Sequence, residues 1–215
     1  MIDMSKIDDE LLAYGALKND LLFHKIPKEK YNYYICKSMK FGKEKAKKNK
    51  NHDVRELCNS NHIEISFAKN SGKFYGVQFR ANIEMSEKKK KIIIYKDSLE
   101  EVTRVAQKYV DPSITFKDVE DIHLAHELYH FYEYIDDKQT NENLDYIERM
   151  HIGPVKLKAS VMASCEIAAH AFTKELLGLS YMPNLFDYIL LMNQQKETLD
   201  DFYQMIETWK EELGG

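Results

Sequence analysis

The sequence predicts an α+β domain: a small three-stranded antiparallel sheet packed on two apolar helices, with additional N- and C-terminal helices. Three observations carry this. Residues 62–68, 73–85 and 91–95 alternate in polarity and are rich in β-branched and aromatic side chains, as half-buried strands are. Residues 122–135 and 155–179 carry apolar side chains at helical spacing. Residues 8–22 and 185–209 show helical character of their own.

Taken in order, residues 8–22 form one helix that ends by the Pro27 region. Tyr31, Tyr33 and Tyr34 make an aromatic cluster suited to packing. Lys40 to Lys50 is strongly basic and reads as a solvated helix face. Docking of that face to an acidic partner or DNA is the alternative, although no helix-turn-helix pattern lies nearby. Asn70-Ser71-Gly72 supplies the turn of a first hairpin, and residues 86–90 a second, charged turn. The lysines at 88–91 and 96 suit a strand edge protected from aggregation. Ser98 and Glu101 stand at capping-box spacing and open a helix over 98–109, which Asp111-Pro112-Ser113 breaks. Pro154 sits near the first turn of the helix over 155–179, and Gly178 is a candidate stop signal. Residues 185–209 make one or two helices that cover the core or form a dimer surface.

Within the first apolar helix the chain reads His126-Glu127-Leu128-Tyr129-His130, an H-E-x-x-H motif. Residues four apart share a helix face, so both imidazoles reach one metal ion. Glu127 is placed to act as general base, which is the zinc-hydrolase arrangement. With eight histidines in the chain, about 0.02–0.03 such motifs are expected by chance. The flanking Ile122, Leu124, Ala125, Leu128, Phe131 and Tyr132 are apolar, as a helix held in a core requires.

A catalytic zinc site needs a third protein ligand and an open fourth position. The extended motif H-E-x-x-H-x-x-G-x-x-H fails, because Glu133 stands at its Gly and Asp136 at its last His. Glu166 is the better candidate: it is a carboxylate on an otherwise apolar helix, and a buried charge needs a partner. His170, four residues on, shares its face. Cys165 is a conceivable fourth, sulfur ligand. Adjacent helical residues point about 100° apart, so it reads instead as a packed core thiol. A di-iron carboxylate site requires a second E-x-x-H, and Ala169 stands where its His belongs.

These segments resemble a known family. Ile122 to His130 (I-H-L-A-H-E-L-Y-H) is similar to the F-T-L-A-H-E-L-G-H signature of the ImmA/IrrE metallopeptidases. Glu166 to Leu177, with Met182-Pro183 following, resembles that family's E-x-x-A-N-x-F-A-A-E-L-L-M-P. Upstream, Asp53 to Leu57 leading into His62 to Ile65, then Tyr75 to Val77 and Lys91 to Tyr95, are similar to its short helix and first strands. The resemblance covers residues 45–185. It implies a zincin-like minimal metallopeptidase with Zn²⁺ held by His126, His130 and Glu166, and a cytoplasmic protein substrate, in the family often a DNA-binding transcriptional repressor. Two departures stand out: Tyr129 replaces Gly, where its ring would close part of the cleft or face solvent, and His170 replaces Asn or Asp.

The expected division is an N-terminal helical appendage (1–44), a metallopeptidase domain (45–185) and a C-terminal helical tail (186–215). The net charge of −4 gives no general case for nucleic-acid binding. There is no secretion signal and no apolar run near the ~20 residues a bilayer demands. Three widely spaced cysteines without a C-x-x-C point to a reducing cytoplasm. The leading expectation is a zinc-dependent endopeptidase with Glu127 as general base, and His170, His151 and Tyr181 as candidates to stabilise the oxyanion or brace a ligand. The alternatives are a catalytically silent metal-binding protein of the same fold, a structural zinc site closed by Cys165 or His170, and a DNA-binding module using Lys40 to Lys50.

Overall fold

Asp8 opens the first helix by accepting the Leu11 N–H, one of the donors a helix start leaves unpaired. The computed structural model describes residues 1–50, 52–68, 72–74, 77–86, 89–136 and 138–214. Helix α1 spans Asp9–Lys18, ending four residues before the expected limit. Two 3₁₀ turns, Phe23–Lys25 and Lys28–Lys30, lead past Pro27 into α2, Tyr31–Lys48. Tyr31, Tyr34, Ile35, Ser38, Met39, Gly42 and Ala46 make its buried face, at spacings of three and four. Lys40, Lys47 and Lys48 lie on the exposed side, so most of the basic run is solvated helix surface.

Helix α3, Val54–Ser60, is capped by Asp53. Next come β1 (Glu64–Phe67), β2 (Lys73–Phe74), β3 (Val77–Gln78), β4 (Ala81–Met85) and β5 (Lys90–Ile94). The sheet is mixed, not antiparallel: its order is β1-β5-β4, with β1 parallel to β5 and β4 antiparallel to it. The expected strand over 73–85 is three pieces, of which β2 and β3 pair with each other. Alternation identifies a strand but carries no information on its direction or neighbour. The expected strand over 91–95 is the central one of the three, and Ile92 and Ile94 on it are fully buried. The turn expected at Asn70-Ser71, the strand positions Tyr75 and Gly76, and the turn positions Glu87 and Lys88 lie outside the described residues.

Helix α4 is Lys96–Tyr109. The capping box expected from Ser98 and Glu101 is not formed: the helix starts two residues earlier, and the Ser98 hydroxyl donates to the Phe79 carbonyl at 2.7 Å. Helix α5, Phe116–Ile135, begins six residues before the expected start, at a capping box between Thr115 and Asp118. A 3₁₀ turn, Thr140–Asn143, follows. The expected helix over 155–179 is corrected in its first third. Val155 to Ala159 alternates apolar and basic residues and forms a strand, β7 (Val155–Ala159), paired with β6 (Ile147–Ile152) across a turn holding Gly153 and Pro154. The helix proper, α6, is Ala163–Leu177, stopped by Gly178 in the left-handed conformation (φ 67°). Helices α7 (Leu185–Asn193) and α8 (Leu199–Leu213) complete the chain.

One apolar core takes side chains from Ile2 through Trp209, without interruption at residues 44 or 185. In it α2 and α5 both pack on α6, and β4 lies along α5. This brings the H-E-x-x-H helix and the Glu166 helix face to face beneath the sheet's β4 edge. No helix among the described residues is long and apolar enough to cross a membrane.

Candidate metal centre

Between Val119 and Glu133 every residue of α5 is buried except His123, His126, Glu127 and His130. These four make one stripe at spacings of three and four, turned away from Leu124, Ala125, Leu128 and Phe131, which anchor the helix. Opposite the stripe stands Glu166 in the first turn of α6, among buried Cys165, Ile167 and Ala168, with its carboxylate half exposed.

His126 Nε2 and His130 Nε2 are 3.2 Å apart. Glu166 presents one carboxylate oxygen 3.2 Å from His126 Nε2 and the other 3.5 Å from His130 Nε2. Bonds of about 2.0–2.2 Å to a tetrahedral zinc set ligand atoms roughly 3.3–3.6 Å apart. Each imidazole meets a different carboxylate oxygen at these distances; taken as one atom per residue, the two imidazoles and the carboxylate gather within 4.8 Å, a donor set whose chemistry suits zinc, and these three form the one metal-capable His/Cys/Asp/Glu group among the described residues.

The His130 ring is held by a residue that sequence reasoning passed over. Its Nδ1 lies 3.1 Å from Glu133 Oε2, and Glu133 Oε1 accepts the Thr140 N–H at 2.8 Å. A donating Nδ1–H leaves the Nε2 lone pair pointing into the cage. In the sequence Glu133 stands at the Gly position of the failed extended motif, and its i+3 spacing from His130 is the signal that points to this contact. Burial alone would push His130 down. The Glu133 hydrogen bond and the Glu166 and Glu127 charges outweigh it and raise the imidazole to about 9. Glu166 is half exposed and not the buried charge the sequence suggested; partial desolvation beside the cage pushes it up, but the His126 hydrogen bond and the surrounding imidazoles hold it below the usual carboxylate range.

Glu127 lies beside the cage, and burial raises its carboxyl against the pull of His126 and His130. The Ile83 main-chain amide of β4 also contacts it. The Tyr95 N–H donates to the Arg80 carbonyl at 2.9 Å. By antiparallel alternation, Asn82 and Glu84 then spend their main-chain groups on β5. Those of Ala81, Ile83 and Met85 face away from β5, on an open strand edge beside Glu127.

Cavities open on both sides of the cage, and Glu166 lines both. One of about 300 Å³ is lined by Arg80, His123, Glu127, His170 and Asp187 among others. One of about 960 Å³ lies on the His130 side. His170 stands with its ring 4.7 Å from that of His126, outside the cage. Burial keeps it neutral, and its Nδ1 has no hydrogen-bond partner among the described residues. The other two candidates are elsewhere. His151 pairs with Glu148 on the β6–β7 hairpin, and Tyr181 packs on Phe186. Asp136 is engaged by Lys45 of α2. Cys165 is buried, with a thiol that desolvation pushes far up and that neighbours Glu133. Tyr129 neither closes the cleft nor faces solvent: its ring packs on Phe172 and its hydroxyl bonds to Thr140 Oγ1 at 2.7 Å. No protein-family profile, curated protein or solved structure matches the chain.

Proposed function

We propose that this protein is a zinc-dependent endopeptidase, of the zincin-like kind that its resemblance to the ImmA/IrrE metallopeptidases implies. The observation that carries the proposal is the convergence of His126, His130 and Glu166, one ligand atom from each lying within 4.8 Å of the others. His126 Nε2, His130 Nε2 and a Glu166 oxygen would hold the ion, with neither Cys165 nor His170 in the group to close a fourth position. Bound there, zinc supplies Lewis acidity, lowering the pKa of a coordinated water and polarising a carbonyl.

The chain's own residues supply the rest. Glu127 accepts the proton of the attacking water and returns it to the departing amine, a shuttle that suits a carboxyl raised by burial. Glu133 fixes the tautomer and orientation of His130. The outer edge of β4, where Ala81 and Met85 turn their main-chain groups away from β5 and the Ile83 amide already meets Glu127, receives an extended substrate as an added strand, through main-chain hydrogen bonds. His170 is the histidine placed to donate toward the cavity beside His126. On the strength of the family resemblance, the substrate is a cytoplasmic protein, a transcriptional repressor in the first instance. The rival reading of a silent metal-binding protein draws nothing from Tyr129, whose ring lies in the core.

Two measurements test the proposal together. Metal analysis of protein purified without chelators should find about one zinc per chain, lost in Glu166→Ala. Digestion of a proteome-derived peptide library should yield cleavage products that Glu127→Gln reduces by about 10²–10⁴-fold, with zinc retained. Undiminished cleavage by Glu127→Gln would remove that residue from the mechanism, and absence of zinc after add-back would remove the mechanism itself.

A further inference from the structure

We infer that the larger cavity is the specificity subsite for a bulky apolar side chain of the cleaved polypeptide, on the His130 side of the cage. The inference rests on the peptidase reading and adds the kind of substrate.

Four chain segments that are distant in sequence turn large apolar side chains into this one space. Leu21 is 91% exposed, Met162 58%, Tyr134 51% and Tyr146 49%, and all four line it. Isolated exposed apolar residues are ordinary. Several lining one concavity mark a binding surface. At about 960 Å³ the space stands at the upper end for a ligand pocket, room enough for a large side chain and its neighbours.

The occupant follows from what the cavity touches. His130, Glu133 and Glu166 form part of its wall, so whatever fills it lies against the cage. Met85, at the far end of the open β4 edge, lines it too, while Ala81, at the near end, lines the smaller cavity. A chain added along β4 therefore passes from one cavity to the other across Glu127 and Glu166. The two cavities differ in chemistry. The smaller contains the Arg80–Asp187 ion pair (2.6 Å) and two histidines beyond the motif's own, and accepts polar or small residues. The larger has Asp20 and Arg149 on its wall as well, but Leu21, Leu22, Met85, Tyr134, Tyr146 and Met162 outnumber them, and it accepts a leucine-, methionine- or phenylalanine-like residue. Such an asymmetry orients the substrate, because reversing the chain would set an apolar side chain against Arg80 and Asp187.

The test uses zinc-loaded Glu127→Gln protein and fluorescein-labelled Gly/Ser-rich decapeptides that differ at one position, occupied by Leu, Phe, Gly or Asp. Fluorescence anisotropy should show the Leu and Phe peptides binding about tenfold or more tightly than the Gly peptide. Leu21→Asp and Met162→Asp alter exposed side chains and should abolish that preference, with zinc content and unfolding temperature unchanged. Equal affinities across the set overturn the inference, as does a preference that survives both substitutions. So does a concentration-dependent dimer that Leu21→Asp dissolves while peptide affinity stays the same, since the face would then serve a second copy. Peptide preference without turnover by the unsubstituted protein would refute the peptidase reading and keep the apolar subsite. Turnover without preference would do the reverse.

Discussion

His130 concentrates the residue-scale chemistry of this protein. It is a cage member whose free ring nitrogen is tied to Glu133, and Glu133 is tied in turn to the Thr140 amide. Replacing Glu133 by Gln keeps the size and removes the charge. Zinc affinity is expected to fall about 10–100-fold, measurable by competition with a chromophoric chelator, with little change in the helix content. The same contact sets a pH dependence. In the metal-free protein His130 is raised to about 9, so below that pH an incoming ion must displace a proton. Apparent zinc affinity should therefore climb about tenfold per pH unit between pH 7 and 9 and then level off. His123 acts in the opposite sense on stability. Burial, then the Arg80 charge, lowers it to about 3, while the unfolded chain protonates it near its usual ~6.5. Below ~6.5 the unfolded state binds more protons, so stability is lost as pH falls from there toward 3. Thermal melts of His123→Gln should show a flatter acid limb than the parent, and an unchanged slope would mean that other groups govern it.

At the scale of elements, the close approach of α2 to α6 decides where Glu166 sits. Gly42 makes it possible: a Cβ there would stand 2.1 Å from the Ala168 carbonyl oxygen and 2.8 Å from the Phe172 nitrogen. Both obstacles are backbone and cannot swing aside, so Gly42→Ala must push the helices apart. A loss of about 1–3 kcal/mol is expected from urea unfolding, accompanied, on the proposed function, by weaker zinc binding because α6 carries Glu166 of the metal-capable group. Gly42→Ala with full stability would show that α2 does not locate α6. The elements legible in the sequence were those with a strong local signature. The α5 motif helix, the solvated lysine face at the end of α2, and the Gly178 stop of α6 all rest on periodicity or backbone chirality within a few residues. The misread elements needed partners remote in sequence. Residues 155–159 could extend a helix until β6 is there to pair with them, and the direction of β1 follows from its neighbour β5 and not from its own residues.

Across the whole molecule, both ends of the chain close on the same core. Tyr14 of α1 meets Trp209 of α8 edge-on at 6.2 Å, and Trp209 also packs on Tyr188 of α7. Leu11, Leu12, Tyr14, Leu17, Tyr34 and Ile35, all within residues 1–44, are buried. At about 1.5–3 kcal/mol for each such side chain, their loss is on the order of 10 kcal/mol, against a total stability of ~5–15 kcal/mol for an ordinary domain. Removing residues 1–44 is accordingly expected to abolish the cooperative thermal transition seen by circular dichroism. A sharp transition in the shortened chain would instead make residues 45–215 an independent folding unit.

The ligand types and their placement on helix faces were present in the sequence, because i, i+4 spacing in a helix is a local, geometric consequence of 3.6 residues per turn. Only the tertiary structure could bring Glu166 to within 3.2 Å of His126, assign Glu133 to His130, and set Tyr129 into the core. It alone could open an apolar cavity between Leu21, Tyr134, Tyr146 and Met162. The Glu166, Tyr129 and cavity relations join different elements and are set by how whole faces pack; the Glu133–His130 contact spans one helical turn, and there the tertiary contribution is the Thr140 amide that holds Glu133 in place.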